Sequence, residues 1–250
     1  MKSPPATIIF DVDGVLVDVS ESFHDTVLET VKFFTGENVT RTQLHRWKNR
    51  PGFNDDWILS TAWVRALGGN FEYAEVKRKF LEFYWGANGR GNVRLEKWLL
   101  PRASLRRLAK QAELSIFTGR VWQELDYTLH RWKVREFFKS IVTVEEVARP
   151  KPDPEGLLKI LNGRDPAAAV YLGDNVDDAL AAKSARVPFV GILPRGSQER
   201  RARGPMLRKL GAITILGDVK ELEAWLLELR PRTRILVPRK KTAARRPLTI

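Results

Sequence analysis

The chain has 250 residues, 43% of them hydrophobic and 10% aromatic, enough to bury a substantial core in one or two domains. It contains no cysteine, which excludes disulfide staples, thiolate zinc sites and cysteine nucleophiles, and its three histidines, at 24, 45 and 130, are too scattered to suggest a metal cluster. No apolar run approaches the roughly 18 residues needed to span a bilayer, and the start Met1-Lys2-Ser3-Pro4-Pro5 leads into a strand with no small-residue cleavage site. The expectation is a cytoplasmic protein that does not enter a membrane.

The net charge of +13 points at first toward polyanionic partners. Its distribution argues otherwise. Residues 230–250 carry eight Arg or Lys and no acid, and taking these away leaves +5. Such a run of like charge reads as a solvated basic tail. Nucleic acid is not expected to be the main partner, although a binding module that uses this tail is the reading from a different functional class.

In chain order, residues 7–12 form the first apolar strand. Residues 18–98 contain helical periodicity, several tryptophans and no convincing buried strand, and are read as an inserted helical domain. Its first helix has Phe23, Val27, Val31 and Phe34 on one face and Gly36 at its end; further helices are expected at 54–67, capped by Asn54, and at 71–85. A glycine-rich hinge-like loop covers 86–92. Beyond it, helices at 102–110, 121–138, 154–161, 177–185 and 218–229 alternate with short strands at 113–117, 140–143, 168–172, 188–192 and 212–216. Continuous apolar strands alternating with helices predict an α/β fold, a parallel sheet covered on both faces.

The chemistry-bearing residues sit where these strands end. Asp11-Val12-Asp13-Gly14 follows the first strand directly, and Gly173-Asp174-Asn175-Val176-Asp177-Asp178 follows the strand at 168–172. Ligands of open α/β sheets bind at that carboxyl edge. Clustered carboxylates repel one another and persist most readily around a hard divalent cation. An acidic turn without function is the competing reading of either segment alone. Thr118 and Gly119 follow a third strand, and Lys151 lies in the proline-stiffened segment Arg149-Pro150-Lys151-Pro152. Hydroxyl, amide and ammonium donors are what phosphoryl oxygens require.

The order DxD, Thr118, Lys151-Pro152 and GDxxxD resembles the haloacid dehalogenase superfamily of phosphatases, over residues 1–17 and 99–229. The resemblance implies a Rossmann-like doubly wound parallel sheet with an inserted helical cap at 18–98, as in phosphoglycolate phosphatases and β-phosphoglucomutases. It implies a phosphatase acting on a small phosphorylated metabolite with Mg²⁺. Asp11 would be nucleophile and metal ligand, and Asp13 acid/base and, through its backbone carbonyl, a metal ligand. Thr118, Gly119 and Lys151 would hold the phosphoryl group, Asp174 would complete the metal site and Asp178 would support it. A phosphomutase is the nearest enzymatic alternative, since it shares the aspartyl-phosphate. A basic cap segment bearing Arg46, Lys48 and Arg50, followed by Asn54, is the expected source of substrate contacts and suits a substrate with a second acidic group.

Overall fold

The computed structural model describes residues 4–48, 50, 52–53 and 55–229; the basic tail at 230–250 and Asn54 lie outside the described residues. Strand β1 (Thr7–Phe10) is followed by a tight turn and a two-residue strand, β2 (Val17–Asp18). Four helices come next: α1 (Phe23–Thr35), α2 (Arg41–Lys48), α3 (Asp56–Ala66) and α4 (Tyr73–Trp85). Strand β3 (Lys97–Trp98) then pairs antiparallel with β2, Val17 opposite Trp98 and Asp18 opposite Lys97, so the helical excursion leaves and re-enters the core at one place. The remainder runs α5 (Arg102–Ala109), β4 (Glu113–Phe117), α6 (Trp122–Trp132), β5 (Phe138–Val142), α7 (Glu155–Leu161), β6 (Ala169–Gly173), α8 (Val176–Ala185), β7 (Phe189–Ile192), α9 (Gln198–Lys209), β8 (Ala212–Leu216) and α10 (Leu222–Glu228).

Six strands form one sheet in the order β5-β4-β1-β6-β7-β8, every pair parallel. Counted along the chain, that order is third, second, first, fourth, fifth, sixth, the doubly wound arrangement. The chain moves outward from β1 through β4 to β5 and returns on the other side of β1 with β6. Their carboxyl ends therefore flank the topological switch point, where the connections diverge and leave a crevice.

Apolar runs in buried strands serve both faces of the sheet. Along β1, Ile8 and Phe10 join one core cluster while Ile9 joins the other. The first cluster continues into the helical excursion through Phe23, Val27, Leu44, Leu59, Trp63, Phe80 and Tyr84, with Phe23 stacked 4.4 Å from Tyr84. Helix α1 ends as its sequence suggests: Gly36 adopts φ +74° and its N–H bonds Lys32 O. Among the described residues, no helix is long and apolar enough to cross a membrane.

Three local expectations change. The helix anticipated at 121–138 stops at Trp132, because Lys133 turns left-handed at φ 54° and Phe138 is taken up as the first residue of β5 beside Leu114. The segment of Arg46 and Lys48 is not a loop but the last turn of α2. Helix α3 is capped by Asp55, whose Oδ1 accepts the N–H of Trp57 at 2.8 Å and of Ile58 at 3.0 Å. Helix α9 had no sequence signal, since Pro205 lies inside it and lacks the N–H that a helix interior uses.

Candidate active site

Asp11 is the first residue beyond β1, and its backbone N–H donates to Leu172 O in β6 at 2.8 Å. Asp174 is the first residue beyond β6. Parallel register, with Phe10 opposite Leu172, thus brings two acidic strand ends side by side. The turn after Asp11 closes when the N–H groups of Leu16 and Val17 bond Val12 O at 2.8 and 2.9 Å. Within it Gly14 has φ +74°, and a Cβ there would lie 2.7 Å from Asp174 Cγ. Glycine is what lets the turn press against that carboxylate.

Asp178 arrives from the first turn of α8. Its Oδ2 accepts the N–H of Asn175 at 3.1 Å, closing a capping box, while its Oδ1 accepts the Tyr171 hydroxyl at 2.7 Å. Carboxylate oxygens of Asp11, Asp174 and Asp178 all lie within 4.8 Å of one another. The Lys151 ammonium sits between two of them, donating to Asp11 Oδ1 and Asp178 Oδ1 at 2.8 Å each. Burial raises the Asp11 carboxyl well above the ordinary aspartate value, with Lys151 pulling the other way. Burial likewise raises Asp174, against the opposing Arg203 guanidinium. For Lys151 burial disfavours the charge, but the two carboxylates outweigh it and the net shift is upward.

Thr118 and Gly119 follow β4 on the other flank of β1. Thr118 is buried, its N–H tied to Val142 O at 3.0 Å, and both residues line the same cavity as Asp11 and Lys151. Asp13 lines it too, but its carboxylate is turned to Arg120 and stands outside the three-acid cluster. Two arginines absent from the sequence reading belong here. Arg203, on α9, donates from Nη1 to the backbone oxygen and Oδ2 of Asp174, at 3.0 Å each. Arg120 donates to Asp13 Oδ1 from Nε at 2.9 Å and Nη2 at 2.6 Å. Arg120 was visible next to Thr118-Gly119, although nothing local marked its target; Arg203 was hidden with its helix.

The cavity has a volume of about 700 Å³ and lies between the strand ends and the helical excursion. Of the expected basic residues only Lys48 lines it, and its Nζ is 2.8 Å from Asp56. Arg46 is exposed, Arg50 is stacked over Trp47 at 4.6 Å, and neither lines the cavity. Two histidines take part in the wall instead: His24 and His45 meet edge to face, and His45 Nε2 is 3.1 Å from Glu199. Glu124, 3% exposed, also lines it, and its Oε1 has no hydrogen-bond partner. Burial pushes that carboxyl up to about 8, although Arg120 opposes the shift.

Residues 101–192 match the family model of haloacid dehalogenase-like hydrolases. The chain is 29% identical over 232 residues to an imidazoleglycerol-phosphate dehydratase of Phytophthora nicotianae, a match covering 86% of this chain but only 51% of that protein. It is 26% identical to pyrophosphatase PpaX of Bacillus velezensis, covering 85% of this chain and 96% of the relative. Its identity to a phosphoglycolate phosphatase of Pseudomonas putida is also 26%, over 75% of this chain and 69% of the other. Among solved structures, a putative β-phosphoglucomutase from Thermotoga maritima superposes with a TM-score of 0.67 at 23% identity, covering 89% of this chain and 98% of that one, a likeness of fold. Sheet order, strand-end acids and these likenesses converge: the chain is similar to the haloacid dehalogenase-like hydrolases over residues 101–192, and it shares its fold with the Thermotoga maritima structure.

Proposed function

We propose that the protein is a magnesium-dependent phosphatase that cleaves a small phosphate monoester through an aspartyl-phosphate on Asp11. The observation that carries the reading is the meeting of Asp11, Asp174, Asp178 and Lys151 at the switch point of the sheet, where Asp11, Asp174 and Lys151 line a cavity of about 700 Å³. That size falls within the roughly 300–1,000 Å³ of small-molecule sites.

Three carboxylates face two cations, Lys151 and Arg203, and offer only hard oxygen donors, which suits a divalent ion such as Mg²⁺. Asp11 and Asp174 would hold it through their carboxylates and Asp13 through its backbone carbonyl, with Asp178 in support. When bound, the ion supplies positive charge that offsets repulsion between Asp11 and a phosphate dianion.

The remaining chemistry belongs to the chain. An oxygen of Asp11 attacks phosphorus, the bond to the leaving oxygen breaks, and that oxygen takes a proton from Asp13. Asp13 then accepts a proton from water as the water oxygen attacks the same phosphorus, which releases phosphate and restores Asp11. The Thr118 hydroxyl, the Gly119 N–H and the Lys151 ammonium orient the transferring oxygens. Among Arg46, Lys48 and Arg50, the cavity position of Lys48 alone supports a contact to the leaving group.

A magnesium-dependent screen of phosphorylated metabolites, scored separately for free phosphate and for isomer formation, tests the reading and separates it from a phosphomutase. Asp11→Asn should abolish turnover; undiminished phosphate release by that variant refutes the nucleophile assignment.

A further inference from the structure

Arg120 is 2% exposed, and its guanidinium is shared among three parts of the chain. Nε and Nη2 both donate to Asp13 Oδ1, in the turn after β1. Nη2 also donates to Glu96 Oε1 at 2.7 Å, and Nη1 donates to Thr128 Oγ1 at 2.7 Å. Glu96 is buried as well and immediately precedes β3, where the chain returns from the helical excursion. It accepts the Tyr84 hydroxyl from the end of α4 at 2.8 Å and the Thr128 hydroxyl at 3.0 Å. At the other leg of the excursion, the ring of Phe23 lies 5.2 Å beneath the guanidinium. One side chain therefore touches Asp13 and both legs of the helical insertion.

A buried ion pair is a poor way to gain stability, since apolar side chains of similar volume are often as good or better. The arrangement fits a geometric task. Both bonds to Asp13 fall on Oδ1, and no hydrogen bond to Oδ2 occurs among the described residues, while the side chain of Asp13 keeps 37% of its exposure toward the cavity. One oxygen is clamped while the group keeps its access to the cavity. We propose that Arg120 is a positioning residue that fixes the Asp13 carboxyl in the cavity and, through Glu96 and Tyr84, ties that position to the joint of the helical insertion. The inference rests on the functional reading above, in which Asp13 protonates the leaving oxygen.

The test exploits the leaving group. An alkyl phosphate needs a proton on departure, whereas p-nitrophenolate leaves without one. Rapid-quench formation of the phosphoenzyme is measured with both, in the wild type, Asp13→Asn, Arg120→Met and Arg120→Lys. Arg120→Met should slow the alkyl ester at least about tenfold more than the nitrophenyl ester, a part of the roughly 10²- to 10⁴-fold that acid catalysis supplies, with KM little changed and partial recovery in Arg120→Lys. Should Arg120→Met alone fail to fold because Glu96 is left buried without its cation, the double variant Arg120→Met with Glu96→Gln removes both charges and carries the same measurement. Equal slowing of the two esters, or none, while Asp13→Asn shows the split, overturns the role of Arg120. Absence of the split in Asp13→Asn itself overturns the functional reading and this inference with it.

Discussion

Lys151→Met preserves most of the length of a side chain while deleting its charge. In the native protein the ammonium lies 2.8 Å from Asp11 and 2.8 Å from Asp178, with little solvent on any of the three groups. Removing one partner of a buried pair costs about 3–5 kcal/mol because the other charge stays buried. At roughly 2–4 °C per kcal/mol for a chain of this size, Tm should fall by about 6–20 °C. Without the ammonium that opposes it, the Asp11 carboxyl, already raised by burial, rises further. An acid whose folded pKa exceeds its unfolded value loses stability as pH increases, so the Tm deficit should be larger at pH 8 than at pH 5. Magnesium restores part of the missing charge, and its stabilising effect should be greater in the variant than in the wild type. Turnover should drop about 10²- to 10³-fold with the lost phosphoryl donor. Thermal melts at both pH values, with EDTA or with Mg²⁺, and a phosphate-release assay give all four numbers. A Tm deficit indifferent to pH and cation, or turnover close to that of the wild type, refutes the placement of Lys151 between the acids.

Gly14→Ala combines a strained left-handed residue with a Cβ 2.7 Å from Asp174 Cγ, so it should cost about 1–3 kcal/mol and raise the Mg²⁺ concentration needed for half-maximal activity, as melts and metal titration will show. Glu124 stays protonated in the folded chain up to about pH 8, while the unfolded chain loses that proton near 4.5. Its contribution to stability therefore declines as pH climbs from 4.5 to 8, by at most on the order of 5 kcal/mol, and Glu124→Gln should flatten the decline in a Tm-against-pH series. His24 has the opposite dependence. Burial, aided by Lys48, His45, Arg203 and Arg41, holds it well below the ordinary imidazole value of 6.5. The unfolded chain then binds a proton that the folded chain refuses, and stability is lost as pH falls through about 6.5; His24→Gln should remove part of that acid-side loss in urea melts.

Local patterning determined most of the sheet. Short continuous apolar runs such as Ile8-Ile9-Phe10 have only one economical place, buried between two helical layers, and the acids that follow them are carried to the carboxyl edge by the chain direction alone. Asp11, Asp174 and Thr118 could be placed at that edge for this reason, whereas Lys151 lies in a proline-stiffened segment well beyond β5. What tertiary structure decided is where long side chains end. Arg120 follows the Thr118-Gly119 motif in sequence, yet its partners Asp13 and Glu96 come from segments 107 and 24 residues away. Lys48 was expected to contact substrate from a basic cap segment, and the pairing of its Nζ with Asp56 at 2.8 Å was set only when α2 and α3 came together. Helix α9 exists despite Pro205, with Gly204 and Leu207 buried, and it delivers Arg203 to Asp174. Periodicity reports which face of an element is apolar; it does not report which charges meet across faces, because those pairings arise only when distant segments have been brought together.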